Sequence, residues 1–213
     1  MDVDWAFVAT VLVVLVPSVI LHEVSHGVVA NHFGDDTAKR AGRLTLNPLS
    51  HIDPFGTVLL PVLLSLSGVG AFGYAKPVPV TVGRLRDPRQ HSLYVSLVGP
   101  LVNIVLAIAA AVVLRTYFVT DLAGGKVVDD GRIPELLLTF GVVNVILAAF
   151  NLLPLPPLDG SAVVERLLPA RWWPTWLKVR QYSMGVLILV VLLLPGALTR
   201  VFDPALELWA SLL

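Results

Sequence analysis

The residues of this sequence that are best suited to chemistry are the string His22-Glu23-Val24-Ser25-His26. Residues four apart lie on the same face of an α-helix, so His22 and His26 can offer imidazole nitrogens to one zinc ion. Glu23 lies close to that face and can act as a general base toward an attacking water. The spacing therefore predicts metal-dependent hydrolysis. An alternative, in which a helix simply emerges into water here and exposes polar side chains, stays open.

The composition of the chain indicates that lipid surrounds this motif. Of the 213 residues, 56% are apolar and only 14% are charged, whereas soluble domains carry about 25% charged residues. Placing an ionisable side chain in a membrane helix costs free energy, and such residues are rare there. Three of them within five residues therefore indicate a functional role, and metal binding is one that fits. The net charge is zero, so nothing favours nucleic acid as a partner.

The absence of cysteine narrows the choice of a third metal ligand. It excludes disulfides, thiolate zinc sites and cysteine nucleophiles, so a third protein ligand should be His, Asp or Glu. The best candidate is Asp159, which lies in the string NLLPLPPLDG at residues 151–160. The prolines of this string prevent a helix from continuing and leave backbone carbonyls unpaired. For Asp159 and Gly160 taken alone, a surface turn is the ordinary interpretation, and it stays open.

The apolar segments that must position these residues predict an all-α polytopic membrane protein. A membrane helix needs about 20 mostly apolar residues, and the candidates are residues 5–32, 55–71, 91–119, 133–153 and 182–194, with a weaker stretch at 205–213. We expect about four to six transmembrane helices. Short β-strands at the membrane surface are predicted within residues 37–54 and 73–82. The chain is predicted to form one membrane domain, residues 1–213, with a catalytic core at about 5–160 and C-terminal helices at about 161–213.

The charges of the connections predict how the chain crosses the membrane. The connections after the first, second and fourth segments are basic, whereas the N-terminus and the connection after the third are acidic. The positive-inside rule places the basic connections in the cytoplasm. The second segment, which is short and broken by glycine and proline, should then enter and leave on one face as a re-entrant element. An ordinary short span is the alternative. With a re-entrant second segment, Asp159 reaches the same side as the two histidines. The acidic start and the lack of a cleavage site predict that the first segment is retained.

The HExxH in a membrane helix, followed far downstream by the string at 151–160, resembles the site-2 protease family of intramembrane zinc metalloproteases. The strings NPLSHIDPFG (47–56), GYAKPV (73–78) and GPLVN (99–103) resemble its compact prokaryotic members. The resemblance covers residues from about 20 to 160, and no PDZ-like or CBS-like regulatory domain is visible. It implies one Zn²⁺ per chain, bound by His22, His26 and Asp159, with Glu23 as the catalytic base. It also implies a multi-pass protein of a prokaryotic cell membrane that cleaves membrane-protein or transmembrane-peptide substrates. The charges of the connections predict that the active site lies toward the cytoplasm.

Several other polar residues are candidates for a role in or near the site. Asn103, Asn144 and Asn151 lie in or beside apolar segments. Each could steady a scissile carbonyl or its oxyanion, or could serve as a hydrogen bond between helices. We favour the interhelical role for Asn103 and Asn144 and leave both roles open for Asn151. His51 is a candidate accessory ligand, although a structural role in its turn is favoured. The tryptophans at 172, 173 and 176 are predicted to lie at the membrane interface.

Two functions of other classes compete with proteolysis. Intramembrane His and Asp also mark the ion pathways of metal transporters. A transporter should show polar residues along a path to both faces and often inverted repeats, whereas here the candidate ligands cluster at one depth and no repeat is apparent. A non-catalytic membrane adaptor is the second alternative, but such a relative should have lost Glu23 or a ligand. The sequence predicts neither the oligomeric state nor the identity of the substrate.

Overall fold

The computed structural model describes residues 5–51, 76–120, 126–128, 131–193 and 195–213. Within these ranges the chain is mainly helical, with helices α1 (Trp5–His32), α2 (Thr37–Arg40), α3 (Pro88–Leu114), α4 (Arg132–Asn151), α5 (Ser161–Leu167), α6 (Trp173–Leu193) and α7 (Pro195–Ala210). Single 3₁₀ turns occur at Pro48–His51, Val82–Arg84, Arg115–Tyr117 and Ala170–Trp172. Two antiparallel strands, β1 (Phe118–Thr120) and β2 (Lys126–Val128), pair between α3 and α4 with Phe118 opposite Val128.

Three of these helices are long and apolar enough to cross a membrane. They are Ala9–His32 within α1, Pro88–Tyr117, which contains α3, and Arg132–Asn151, which is α4, with mean hydropathies of 1.8, 2.6 and 2.0. The start of α3 is well defined, since Asp87 accepts a hydrogen bond from Gln90 N and Pro88 occupies the first turn. The all-α membrane architecture is confirmed, and the predicted first, third and fourth segments correspond to these helices.

Helix α3 lies at the centre of the bundle. It packs against both α1 and α4, which also contact each other. Small residues on α3 permit this close approach, because Ala107, Ala110 and Ala111 are all buried. The three helices therefore form one compact core, and His22 and His26 lie where α1 meets α3.

The C-terminal stretch predicted at 205–213 belongs to α7, which packs against α4. Trp209 is 5% exposed, and its indole Nε1 donates a 2.7 Å hydrogen bond to the carbonyl of Ala107. The ring lies against Gly141, where an added methyl group would overlap it. The predicted fifth segment, 182–194, corresponds to the C-terminal half of α6 as far as residue 193. Trp176, predicted at the membrane interface, donates from Nε1 to Glu165 at 2.9 Å and so ties α6 to α5.

The strand predictions for residues 37–54 and 73–82 were wrong wherever the structure describes those residues. Residues 37–51 contain α2 and the turn Pro48–His51, and no strand is assigned at 76–82. Prolines at 77 and 79 lack the N–H that a ladder needs. Two other N–H groups of this segment, those of Val78 and Thr81, bind carboxylates instead. The predicted second segment, 55–71, lies outside the described residues.

Candidate active site

Helix α1 supplies the first part of the site. His22 and His26 lie one helical turn apart, their rings are 4.7 Å apart in an edge-to-face arrangement, and both are buried. The histidine pair therefore has the predicted i, i+4 geometry. Upstream of the pair, the helix contains Pro17, and the Ser18 hydroxyl donates to the carbonyl of Val14 at 2.7 Å.

The loop after α4 brings Asp159 back to α1. Helix α4 ends at Asn151, and the chain then folds back because Gly160 N donates to the carbonyl of Asn151 at 2.7 Å. A methyl group at Gly160 would overlap the carbonyl of Leu152, so this position needs glycine. As a result, Asp159 Oδ2 lies 3.1 Å from His22 Nε2 and 3.4 Å from His26 Nε2.

The second ring nitrogens of the two histidines are held by acceptors. His22 Nδ1 lies 2.6 Å from Asn103 Oδ1, and His26 Nδ1 lies 2.6 Å from the carbonyl of Val95. Both partners are oxygens without a hydrogen, so each Nδ1 carries a proton, and in the neutral imidazole each Nε2 then keeps its lone pair. Two imidazole lone pairs and the carboxylate of Asp159 therefore converge on one point.

This convergence fits a metal ion. The ligand atoms of His22, His26 and Asp159 all lie within 4.8 Å of one another, and Asp159 Oδ2 is a buried atom without a well-formed hydrogen bond. Burial raises the pKa of Asp159, but the two neighbouring imidazoles lower it by more, so the net shift is downward and the group is ionised at neutral pH. Ligands about 2.0–2.1 Å from a tetrahedral zinc lie about 3.3–3.4 Å from each other. The 3.1 and 3.4 Å separations match that value.

Glu23 is held by the segment at residues 76–81. Val78 N donates to Glu23 Oε2 at 2.8 Å, and Oε1 has no hydrogen bond within the described residues. Gly27 permits this close approach, because a Cβ there would lie 2.9 Å from a methyl group of Val78 and 2.5 Å from Leu44. One carboxylate oxygen is therefore fixed and the other is available.

Two buried charges anchor the 76–81 segment, and sequence reasoning missed both. The Arg43 guanidinium donates to the carbonyl of Ser50 and, at 2.6 Å, to that of Lys76. Asp35, which is fully buried, accepts from Thr81 N at 2.5 Å. Burial raises the pKa of Asp35, but hydrogen bonds from Thr37 and Thr81 and the charge of Arg84 lower it by more. In the sequence, Arg43 is one of several basic residues in the connection after the first segment, and no local pattern sets it apart from the others.

Comparison with known proteins identifies the family. Residues 10–194 match the family model described as Peptidase family M50. The chain belongs to peptidase family M50. The resemblance to site-2 proteases is thereby confirmed, and the chain is a metallopeptidase of that family. No solved structure gives a significant match.

Three relatives of this M50 peptidase illustrate the match. YwhC of Bacillus subtilis is 40% identical over 74% of this chain and 68% of its own length. Rip2 of Mycolicibacterium smegmatis is 36% identical over 87% of this chain and 66% of its own length. Both are named putative zinc metalloproteases. A zinc metalloprotease of Methanocaldococcus jannaschii is 25% identical over 91% of this chain and 44% of its own length. The chain thus spans about two thirds of these bacterial relatives and less than half of the archaeal one.

A cavity of about 360 Å³ opens beside the metal-ligating cluster of the M50 peptidase. It is lined by His22, Glu23, His26 and Asp159 together with Asn151 and residues of the 76–82 segment. Its volume lies at the lower end of the range of ligand pockets. Arg180 of α6 also lines the cavity and is paired with Glu165 at 3.1 Å. Sequence reasoning did not single out Arg180, because Arg180 is far from both motifs along the chain and no sequence pattern links it to them.

Of the remaining predicted residues, Asn151 lines the cavity, whereas Asn103, Asn144 and His51 do not. Asn151 lines the cavity, and its Nδ2 donates to the carbonyl of Leu147 at 3.0 Å. Asn103 and Asn144 are fully buried and lie outside the cavity lining, so neither can contact a substrate in this arrangement. His51 is bonded through Nε2 to the carbonyl of Thr45 at 2.9 Å, and it is not part of the metal-ligating group. Its geometry is that of a turn residue.

Proposed function

We propose that this M50 peptidase hydrolyses peptide bonds of membrane-spanning substrates within or near the bilayer, in regulated intramembrane proteolysis. In this proposal one Zn²⁺ is bound by His22, His26 and Asp159, and Glu23 is the general base. The observation that carries the proposal is the convergence of these three ligand atoms beside Glu23, in a cavity between helices long enough to cross a membrane.

The donor set favours zinc in a catalytic role. Two imidazoles and one carboxylate are the ligands of catalytic zinc sites that keep a fourth position open. When bound, zinc supplies Lewis-acid polarisation of the scissile carbonyl and lowers the pKa of water. The relatives named zinc metalloproteases support the same choice of metal.

The chain's own residues supply the proton transfer. Glu23 is steadied through Oε2 by the N–H of Val78, so its other oxygen can take a proton from the attacking water and return it to the leaving amine. Asn151 lines the same cavity and is the candidate donor to the scissile carbonyl. General acid–base catalysis of this kind contributes about 10²–10⁴-fold to the rate.

The substrate must be extended where it is cut. The carbonyls of a helix are hydrogen-bonded to N–H groups four residues on and are shielded from attack, so a membrane helix has to unwind locally. The extended segment at 76–81 runs along the cavity, where Val78 and Val80 line it. We propose that the unwound substrate lies along this segment and is held mainly by side-chain contacts with Val78 and Val80, because the N–H groups of Val78 and Thr81 already bind carboxylates. The basic connections support an orientation in which this end of α1 faces the cytoplasm, from which water would enter.

The test is Glu23→Gln in purified protein, compared with Glu207→Gln, an identical change at an exposed position on α7. We expect Glu23→Gln to keep bound zinc and to lose at least about 10²-fold of the cleavage rate of a transmembrane substrate. Glu207→Gln should cleave like the wild type. Zinc-loaded Glu23→Gln that cleaves at the wild-type rate would refute the assigned base. Zinc transport into liposomes without any cleavage would instead support a transporter.

A further inference from the structure

A chain of buried hydrogen bonds leads from the metal-ligating cluster into the centre of the bundle. His22 Nδ1 lies 2.6 Å from Asn103 Oδ1, Asn103 Nδ2 lies 2.7 Å from Asn144 Oδ1, and Asn144 Nδ2 lies 2.9 Å from Ser18 Oγ. Asn103, Asn144 and Ser18 are each 0% exposed. The chain links α1, α3 and α4, and its far end returns to α1 one turn before His22.

The direction of every hydrogen bond in this chain is determined from its far end. Ser18 donates its only hydroxyl proton to the carbonyl of Val14 at 2.7 Å, so toward Asn144 it can only accept. The carbonyl of Phe140, 2.8 Å from Asn144 Nδ2, can also only accept. Asn144 must therefore turn its NH₂ group toward both of these oxygens and its carbonyl oxygen toward Asn103.

The same reasoning continues to the metal ligand. Because Asn144 presents an oxygen, Asn103 must turn its NH₂ group toward Asn144 and its own oxygen toward His22. An oxygen there requires the proton of His22 to be on Nδ1, which leaves the Nε2 lone pair directed at Asp159. Two backbone carbonyls thus determine the tautomer of His22 through three side chains.

We infer that Asn103 and Asn144 are positioning residues that fix His22 in its metal-binding tautomer, an inference that rests on the metal site proposed above. The tautomer of His26 needs no positioning side chain, because the backbone carbonyl of Val95, 2.6 Å from His26 Nδ1, can only accept a hydrogen bond. Asn103 is different, since an amide can turn over. If it turned, its NH₂ group would face Nδ1, the proton would move to Nε2, and an N–H would replace the lone pair in the ligand cluster.

This role differs from that of a simple hydrogen bond between helices. For an interhelical contact only the presence of a hydrogen bond matters, whereas here its direction matters. Variants at successive positions should therefore lose metal affinity in a graded order. Asn103 contacts the ligand, Asn144 only prevents Asn103 from turning, and Ser18 is one of two acceptors that orient Asn144.

The experiment measures Co²⁺ binding by chelator competition in the chain of residues 1–213, together with the ring ¹⁵N spectrum of ¹⁵N-histidine-labelled protein before metal is added. Second-shell changes typically cost 10–100-fold in metal affinity. We expect a loss of about that size for Asn103→Leu, a smaller loss for Asn144→Leu, and little change for Ser18→Ala. Asn103→Asp keeps an oxygen toward His22 but loses the NH₂ group that donates to Asn144, so it should retain more affinity than Asn103→Leu but less than the wild type. In Asn103→Leu, the His22 spectrum should show a shift toward the Nε2-protonated form.

The control is Trp209→Phe, which removes a buried hydrogen bond between α7 and α3 that involves neither a proposed ligand nor the chain of Asn103, Asn144 and Ser18. It should lower thermal stability without changing Co²⁺ affinity. Wild-type Co²⁺ affinity in Asn103→Leu, or a uniform loss in Asn103→Leu and Asn103→Asp, would overturn the inference while leaving the proposed metal site intact. A wild-type chain that does not bind Co²⁺ would overturn the metal site and the inference together.

Discussion

Gly99 of α3 faces His22 and His26, the two proposed ligand histidines, without a side chain of its own. A Cβ at this position would lie 2.5 Å from His26 Nε2 and 2.6 Å from both Nε2 and Cε1 of His22. Ordinary van der Waals contact begins at 3.4 Å, so the overlap would be about 0.9 Å with the His26 ring and about 0.8 Å with the His22 ring. Gly99→Ala therefore forces either the imidazoles or the whole of α3 to move.

The size of that overlap predicts a selective loss of metal. Metal–ligand distances are met to within about 0.2 Å in a functional site, and the required displacement is several times larger. We expect Gly99→Ala to lower Co²⁺ affinity by at least about 100-fold, which is the upper end of the effect of disturbing a second shell. Overpacking of this kind also costs about 1–3 kcal/mol of stability.

Two other glycines provide matched controls for the same substitution. Gly141→Ala would overlap the Trp209 ring, so it should lose about 1–3 kcal/mol of stability but keep its Co²⁺ affinity. Gly185→Ala meets nothing within 4 Å and should change neither quantity much. The assays are Co²⁺ competition with a chelator and thermal unfolding in detergent. Wild-type Co²⁺ affinity in Gly99→Ala would refute the argument that α3 packs directly on the metal ligands.

Two further predictions concern stability. Because the folded-state pKa of Asp35 is lowered, its contribution is complete above the unfolded pKa of about 3.9 and is lost as pH falls through the folded value. The stability difference between wild type and Asp35→Asn should therefore shrink under acid conditions, and equal pH profiles in denaturant unfolding would contradict this. Removing metal with a chelator should abolish cleavage and lower the unfolding temperature, and Zn²⁺ should restore both. At a free zinc concentration 100 times Kd the stabilisation is about 2.7 kcal/mol, so an unchanged unfolding temperature would argue against the site.

Sequence reasoning succeeded where the determining pattern was local. The long apolar runs predicted α1, α3 and α4 because lipid demands such runs, and the four-residue spacing predicted that His22 and His26 share a face. Asp159 was reached differently. Because the chain has no cysteine, the third ligand had to be His, Asp or Glu. The charge pattern predicted that the proline-rich loop returns to the same side of the membrane as the two histidines. The structure places Asp159 beside both histidines.

The rest of the site depends on contacts that no local pattern encodes. Val78 binds Glu23 across 55 positions, and Asn103 binds His22 across 81. The strand prediction for residues 73–82 counted β-branched residues but not the competing carboxylates, which take N–H groups that a ladder would use. Residue propensity favoured a strand, but long-range hydrogen bonds join this segment to the carboxylates of Glu23 and Asp35.

The charges of the site explain why its residues occur as a set. An isolated carboxylate or cation inside an apolar bundle is costly, and Asp159 and Glu23 bring two negative charges to the same cavity. A divalent cation balances these two charges, while the neutral imidazoles add ligands without adding charge. Losing Asp159 or Glu23 would leave part of the cation's charge uncompensated, and losing an imidazole would remove a ligand. For the same reason, an HExxH inside an apolar segment is more informative than the same motif on a soluble helix, where each residue can be solvated independently.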